Sequence, residues 1–271
     1  MLKTEMRNPK STNIDKMQTL DMVKIMNEEN YVAVRAVEAV SEQIAKAVDA
    51  VTDAFSRGGR LFYVGAGTSG RLGVLDAAEC PPTYGVDYGK VVGIIAGGEK
   101  AITRASEIGE DNGEAGIESL KERGVTSNDV VVGVSAAGGA NFVVSALNYA
   151  KSLGCTTVGV TSNYGSKLDE IADISIVTDT GAEVITGSTR LKAGSAQKMV
   201  LNTISTLSMV KSGYVYQNLM INLKPSNVKL RARMISIVSE IAKVDQGEAE
   251  ALLENNDWNI RRAVGEDVVE K

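Results

Sequence analysis

The segment Gly65-Ala66-Gly67-Thr68-Ser69-Gly70-Arg71 lies between a short apolar run, Arg60 to Val64, and a helical pattern that begins at Leu72. A β-rich run, a glycine-rich turn and a helix start together build an anion cradle. The glycines let the backbone approach closely, and the free N–H groups of the helix start point at negative charge. The spacing also satisfies GxGxxG, the dinucleotide-binding fingerprint, which alone is a weak signal. Thr68 and Ser69 add two hydroxyls, which suit a terminal phosphate better than a pyrophosphate diester. After the next apolar run, Val91 to Ala96, the first acid is Glu99, 29 residues beyond Gly70. A ribose-binding carboxylate is expected at about 20. The cradle reads as one for a phosphosugar, with a nucleotide fold as the competing reading.

The chain has no histidine. That excludes imidazole general-base catalysis, a Ser-His triad and most transition-metal sites. Acid–base work falls to Glu, Asp, Lys or Tyr. Cys80 and Cys155 fit no metal or redox spacing, so a reduced, cytoplasmic setting is expected. The polar N-terminus does not read as a signal peptide, and no window reaches the apolar length of a membrane span. A net charge of −5 argues against non-specific nucleic-acid binding.

These residues need a scaffold to position them. Strand-like runs recur at 60–64, 91–96, 129–134, 156–160 and 174–178, with helical segments or loops between them. That alternation predicts an α/β fold, a central parallel sheet between helical layers. Three runs end in small or hydroxyl residues, at 65–70, 135–140 and 161–163, and ligands bind at the carboxyl ends of such strands. Residues 14–57 read as N-terminal helices interrupted near Asn27-Glu28-Glu29-Asn30. A long helix is expected from Met199 to about Val215, with Ser188 or Thr189 able to N-cap a helix start that carries Arg190 and Lys192. Cations there oppose the helix dipole, so a nearby anion is expected, either a ligand or Glu183. From about Leu230 the pattern suggests a small three-helix unit with Trp258 in its core.

Several long segments resemble the N-acetylmuramic acid 6-phosphate etherase family, which belongs to the wider sugar-isomerase (SIS) fold and is related to glucokinase-regulating proteins. Thr4-Glu5-x-Arg7-Asn8-Pro9 with Ile14-Asp15 is similar to its N-terminal arm, Gly65 to Gly85 to its longest motif, and Gly187 to Lys198 to its second. The resemblance implies an SIS-type three-layer αβα sandwich over residues 58–228. An N-terminal arm and helices at 1–57 and a small UBA-like helical domain at 229–271 flank it. It also implies a lyase that cleaves the D-lactyl ether of N-acetylmuramic acid 6-phosphate, a step of peptidoglycan recycling. The expected partners are a small-molecule sugar phosphate and a second copy of the chain in a homodimer, with no nucleic acid, membrane, metal or organic cofactor.

The resemblance further assigns Glu79 as the acid at the leaving lactyl oxygen and Glu110 as the base at C2, the reverse assignment being equally compatible. From the residues alone, Glu107, Glu110, Asp111 and Glu114 read as a solvated acidic face, and Glu79 as a helix-end carboxylate stiffened by Pro81-Pro82. For the phosphate the candidates are Ser69, with Gly67 and Thr68 beside it, then Ser188, Thr189 and Lys192.

The chain departs from the family at the loop after the third strand. Where family members resemble Ala-Ser-Gly-Arg-Thr-Pro, this chain has Ala136-Ala137-Gly138-Gly139-Ala140-Asn141. Two hydroxyls and a cation are missing, each worth about 1.5–3 kcal/mol against a charged ligand. Ser135 and the amides around Gly138 are expected to replace them. A non-catalytic or altered-specificity sugar-phosphate sensor is the alternative reading.

Overall fold

The computed structural model describes residues 2–104 and 109–265. Three short 3-10 turns at Lys3–Glu5, Pro9–Ser11 and Ile14–Lys16 precede helices α1 (Thr19–Glu38) and α2 (Ser41–Ser56). Then follow β1 (Leu61–Gly65), α3 (Gly67–Tyr84), β2 (Val91–Ile95), α4 (Lys100–Thr103), α5 (Gly113–Lys121) and β3 (Val130–Val134). The chain continues through α6 (Asn141–Ser152), β4 (Thr156–Thr161), α7 (Lys167–Ile171), β5 (Ile174–Val177) and α8 (Lys192–Lys211). It ends in a two-stranded hairpin, β6 (Val215–Tyr216) and β7 (Leu219–Met220), and helices α9 (Val228–Ala242), α10 (Gln246–Asn255) and α11 (Ile260–Val264).

Strands β1 to β5 form one parallel sheet in the order β2-β1-β3-β4-β5. Every residue of β1 and β3 is buried, as expected for central parallel strands covered on both faces. The pleat sends Phe62 and Val64 to one face, where they join Leu120 of α5, Phe142 and Leu147 of α6 and Leu168 of α7. Tyr63 points the other way, and its hydroxyl donates to the carbonyl of Leu201 in α8 (3.2 Å). Gly73 of α3 packs on the same tyrosine, where a Cβ would fall 2.8 Å from Tyr63 Cβ, so α3 and α8 cover that second face and complete the αβα sandwich.

The described residues form two compact units, one of residues 2–78 and 89–205, the other of 79–88 and 206–265. The second has its own apolar core, including Leu230, Met234, Val238, Leu253 and Ile260. Its three helices match the expected C-terminal trio, and Trp258 packs against that core with Arg231 over its ring (5.0 Å).

Local expectations failed in four places. The N-terminal helix runs unbroken through residues 27–30 and breaks instead at Ala39-Val40. The polar tetrad holds because Glu29 is buried and bonded to Asn8 and Lys192, so tertiary contacts outweigh its weak helix signal. Helix α8 begins at Lys192 rather than Met199 and stops at Lys211, since Gly213 (φ +79°) turns the chain into the β6–β7 hairpin. Ser188 and Thr189 do not cap it. The Glu183 carboxylate does, accepting the N–H groups of Lys192 and Ala193 (both 3.0 Å). Finally, Glu110 and Asp111 lie in a turn ahead of α5, whose N-cap is Asn112, and are not part of a helical acidic face. Glu107 lies outside the described residues.

Candidate functional site

A polar cleft of about 100 Å³ opens at the carboxyl ends of β1 and β3. Ser69, Glu110, Ser135, Ala136, Ala137 and Thr189 line it, so four expected site residues from four separate chain segments converge there. Each arrives for a local reason. Ser69 sits in the first turn of α3, where helix geometry leaves N–H groups without internal partners. Gly70 lets that turn press on the sheet, since a Cβ there would lie 2.6 Å from Ile95 Cγ1 and 2.7 Å from the Gly65 carbonyl oxygen. Glu110 is set by its own carbonyl, which accepts the N–H of Phe142 (2.9 Å).

Ser135 follows β3, and its Oγ accepts the N–H of Gly138 (3.1 Å). Gly138 adopts φ +73°, and a Cβ there would meet Ser166 Oγ at 2.2 Å, so the tight turn requires glycine. Its amide is engaged within the loop rather than aimed at a ligand. Among the described residues no hydrogen bond is made by the amides of Ala136, Ala137 and Gly139, which leaves these backbone donors beside the cleft. Glu110 is the one charged residue among the lining groups, and no cation is among them. An anion here would be held by hydroxyls and amides.

The other expected residues lie elsewhere. Thr68, next to Ser69, faces a separate groove of about 450 Å³ with Leu72, Arg190 and Lys198, because consecutive residues on a helix point in different directions. Gly67 starts α3 with φ +52° and lines neither space, and Ser188 lines neither. Lys192 is buried with its ammonium ion-paired to Glu29. The anion that its position at a helix start calls for is thus supplied by the protein itself. Glu29 also pairs with Lys10 (3.1 Å) and accepts from Asn8 (2.8 Å). Burial raises its carboxyl, but these partners outweigh burial and hold it below the ordinary carboxylate range. Burial has the upper hand at Glu183, whose carboxyl is raised despite its two backbone donors. Glu79 is exposed on α3, within the second compact unit.

Sequence reasoning missed what fastens the cleft. The N-terminal arm ties down the strand ends: the Lys3 amide donates to Asn163 Oδ1 (2.8 Å), and Asn163 Nδ2 donates to Thr4 Oγ1 (3.1 Å) and to the Ala136 carbonyl (2.9 Å). Further along, Asn8 donates to the Ala182 carbonyl (3.1 Å) and Ser11 to that of Val184 (2.7 Å). The signal available was the run of polar residues Thr4, Asn8 and Ser11 in the arm. Asn8 Oδ1 caps its own turn by accepting the Lys10 N–H (3.0 Å), which leaves its Nδ2 to find a partner elsewhere. Asn163→Leu is expected to cost about 1–3 kcal/mol, the penalty of stranding buried partners. Thermal unfolding would show it, and a smaller effect would mean that the arm merely rests on the sheet.

Residues 43–151 match the family model of the glucokinase regulatory protein N-terminal SIS domain, and residues 113–207 that of the SIS domain. The chain is 51% identical over 261 residues to an N-acetylmuramic acid 6-phosphate etherase of Actinobacillus pleuropneumoniae, covering 96% of this chain and 86% of the relative. It is 50% identical over 263 residues to the enzyme of that name from Clostridium beijerinckii, covering 97% and 86%. Among solved structures, it is similar in fold to phosphoheptose isomerases from Neisseria gonorrhoeae (TM-score 0.53, 18% identity, 72% of this chain and 98% of that one) and Francisella tularensis (0.52, 18%, 71% and 98%).

Proposed function

This chain belongs to the N-acetylmuramic acid 6-phosphate etherase family, and on that premise we propose that it splits the D-lactyl ether of N-acetylmuramic acid 6-phosphate. The convergence of Ser69, Ser135, Thr189 and Glu110 on one cleft at the strand ends is the observation that carries this reading to particular residues. In the open-chain sugar the C1 aldehyde acidifies the C2 proton. Glu110 removes it as the base. The C3–O bond breaks, and Glu79 protonates the departing lactyl oxygen. Water then adds at C3 of the unsaturated aldehyde, with Glu79 taking the water's proton, and C2 is reprotonated. The products are N-acetylglucosamine 6-phosphate and D-lactate, so the reaction is a carbon–oxygen lysis followed by hydration. It calls on no metal or organic cofactor. The hydroxyls of Ser69, Ser135 and Thr189, with the Ala136 and Ala137 amides, hold the phosphate in place of the groups that the 136–141 loop lacks.

The etherase names of the relatives, at about half identity over nearly the whole chain, favour turnover over a sensor without chemistry. The substrate places the reaction in peptidoglycan recycling in the cytoplasm, and among the described residues no helix is long and apolar enough to cross a membrane. The deciding assay is D-lactate release from N-acetylmuramic acid 6-phosphate, with Glu79→Gln as the control. Release by the unaltered chain alone is expected. No release from folded protein that still binds the sugar phosphate would return the sensor reading.

Two further features belong to the same proposal. Leu20, Val23, Tyr31 and Val34 are exposed on one face of α1, at spacings that suit a homodimer interface. The C-terminal helices, expected from residue 229 onward, belong to a separable UBA-like domain whose apolar core also takes in Ile221 and Leu223, so its boundary with the SIS core lies before residue 229. A monomeric mass by light scattering would remove the first. The absence of a protease-resistant C-terminal fragment would remove the second.

A further inference from the structure

We propose that Gln197 is a positioning residue for the anion: its amide sets which way the Ser69 hydroxyl proton points. This inference rests on the proposed function, because it presupposes a phosphate ester in the cleft. Gln197 is 1% exposed, and Ser69 is itself buried. Ser69 Oγ donates to Gln197 Oε1 at 2.9 Å. The other end of that amide, Nε2, is buried and has no hydrogen-bond partner among the described residues.

The chemistry of the cleft makes that arrangement informative. A hydroxyl has one proton. When Ser69 gives it to Gln197, it shows the cleft only lone pairs, which repel a phosphate dianion. No cation is among the lining residues to offset this, and Glu110 adds negative charge. A serine in such a cleft serves an anion only as a donor.

Turning the Gln197 amide end for end resolves both difficulties together. Nε2 then donates to Ser69 Oγ, so the buried N–H gains a partner, and the Ser69 proton is freed to enter the cleft. The two ends of the amide have the same shape, so the turn needs no repacking. A stranded buried N–H is the more costly orphan, and a carbonyl tolerates that position better. The same residue thus discriminates between ligands: Ser69 donates to a phosphate in one orientation and accepts from a sugar hydroxyl in the other.

The test compares the unaltered chain, Gln197→Glu and Gln197→Met for binding of N-acetylglucosamine 6-phosphate, by calorimetry at about pH 8. The ionised carboxylate of Gln197→Glu can only accept, which locks the Ser69 proton away from the cleft. The thioether of Gln197→Met fills the space and leaves that proton free. Affinity is expected to fall at least about tenfold in Gln197→Glu and only a few-fold in Gln197→Met. As the pH is lowered towards 5, the deficit of Gln197→Glu relative to the unaltered chain should narrow, because a protonated carboxyl donates again. A merely structural role would not produce that pH-dependent recovery. Equal affinity of Gln197→Glu and the unaltered chain at pH 8, or a larger loss in Gln197→Met, would overturn the inference while leaving the etherase reading intact. Failure of the unaltered chain to bind the phosphate ester would overturn both.

Discussion

Glu110→Gln is expected to lower D-lactate release from N-acetylmuramic acid 6-phosphate by about two to four orders of magnitude, the usual worth of a positioned general base. The fold should survive the change. The Glu110 side chain is exposed, and it is its backbone carbonyl, not its carboxylate, that accepts from Phe142. Gln keeps the size and polarity of the side chain and removes only its capacity to take a proton. The loss should therefore fall on kcat, with KM for the phosphate ester little changed. Exchange of the C2 hydrogen with solvent deuterium separates the two carboxyls. If Glu110 is the C2 base, Glu110→Gln abolishes that exchange while Glu79→Gln retains it and blocks lactate departure. The opposite pattern would reverse the roles. A rate within twofold of the unaltered chain would return Glu110 to the solvated acid that its neighbours in sequence suggest.

The sheet was legible because its signal is local. Val130-Val131-Val132-Gly133-Val134 and Leu61-Phe62-Tyr63-Val64-Gly65 are near-continuous apolar runs, the pattern that burial on both faces demands, and all ten residues are buried. Ser69 and Ser135 could be placed at strand ends from the sequence, and the fold brings those ends to one cleft, whereas Thr189, which lines the same cleft, was a candidate only through the resemblance of the 187–198 motif. What was not legible depends on partners far away in sequence. Nothing within residues 27–30 reveals that Glu29 meets Lys192, 163 positions away, and turns a polar interruption into unbroken helix. Glu183 was already a candidate anion for this helix start, but nothing in the sequence reveals that it takes the backbone N–H groups of Lys192 and Ala193 while the Lys192 ammonium pairs with Glu29. Thr68 shows a finer limit: a motif gives residue types, but only the helix phase decides that Ser69 faces the small polar cleft while Thr68 faces a different groove.

Lys192→Met should be among the most destabilising single changes in the chain, because it strands a charge instead of removing a surface contact. The Lys192 and Glu29 side chains are only 5% and 4% exposed. Removing one partner of such a pair costs about 3–5 kcal/mol, which for a chain of this size lowers the thermal midpoint by roughly 6–20 °C. Lys10 and Asn8 remain on Glu29, so the loss should lie nearer the lower end. The pH dependence carries the sign of the mechanism. In the unaltered chain the Glu29 carboxyl is held below its unfolded value, so its stabilisation is present above that value and is lost as pH falls through the lower, folded one. Without Lys192 more of the burial penalty is uncompensated and the folded value rises. Protonation then relieves the variant, and the gap to the unaltered chain should narrow as the pH approaches about 4. Glu29→Leu combined with Lys192→Met should recover much of the loss, since it leaves no unpaired charge. The same variant separates two tasks for the lysine. If Lys192 serves Glu29, KM for the phosphate ester in Lys192→Met, measured well below its midpoint, stays within a few-fold of the unaltered chain. A rise of two orders of magnitude with stability unchanged would instead make Lys192 a ligand of the phosphate.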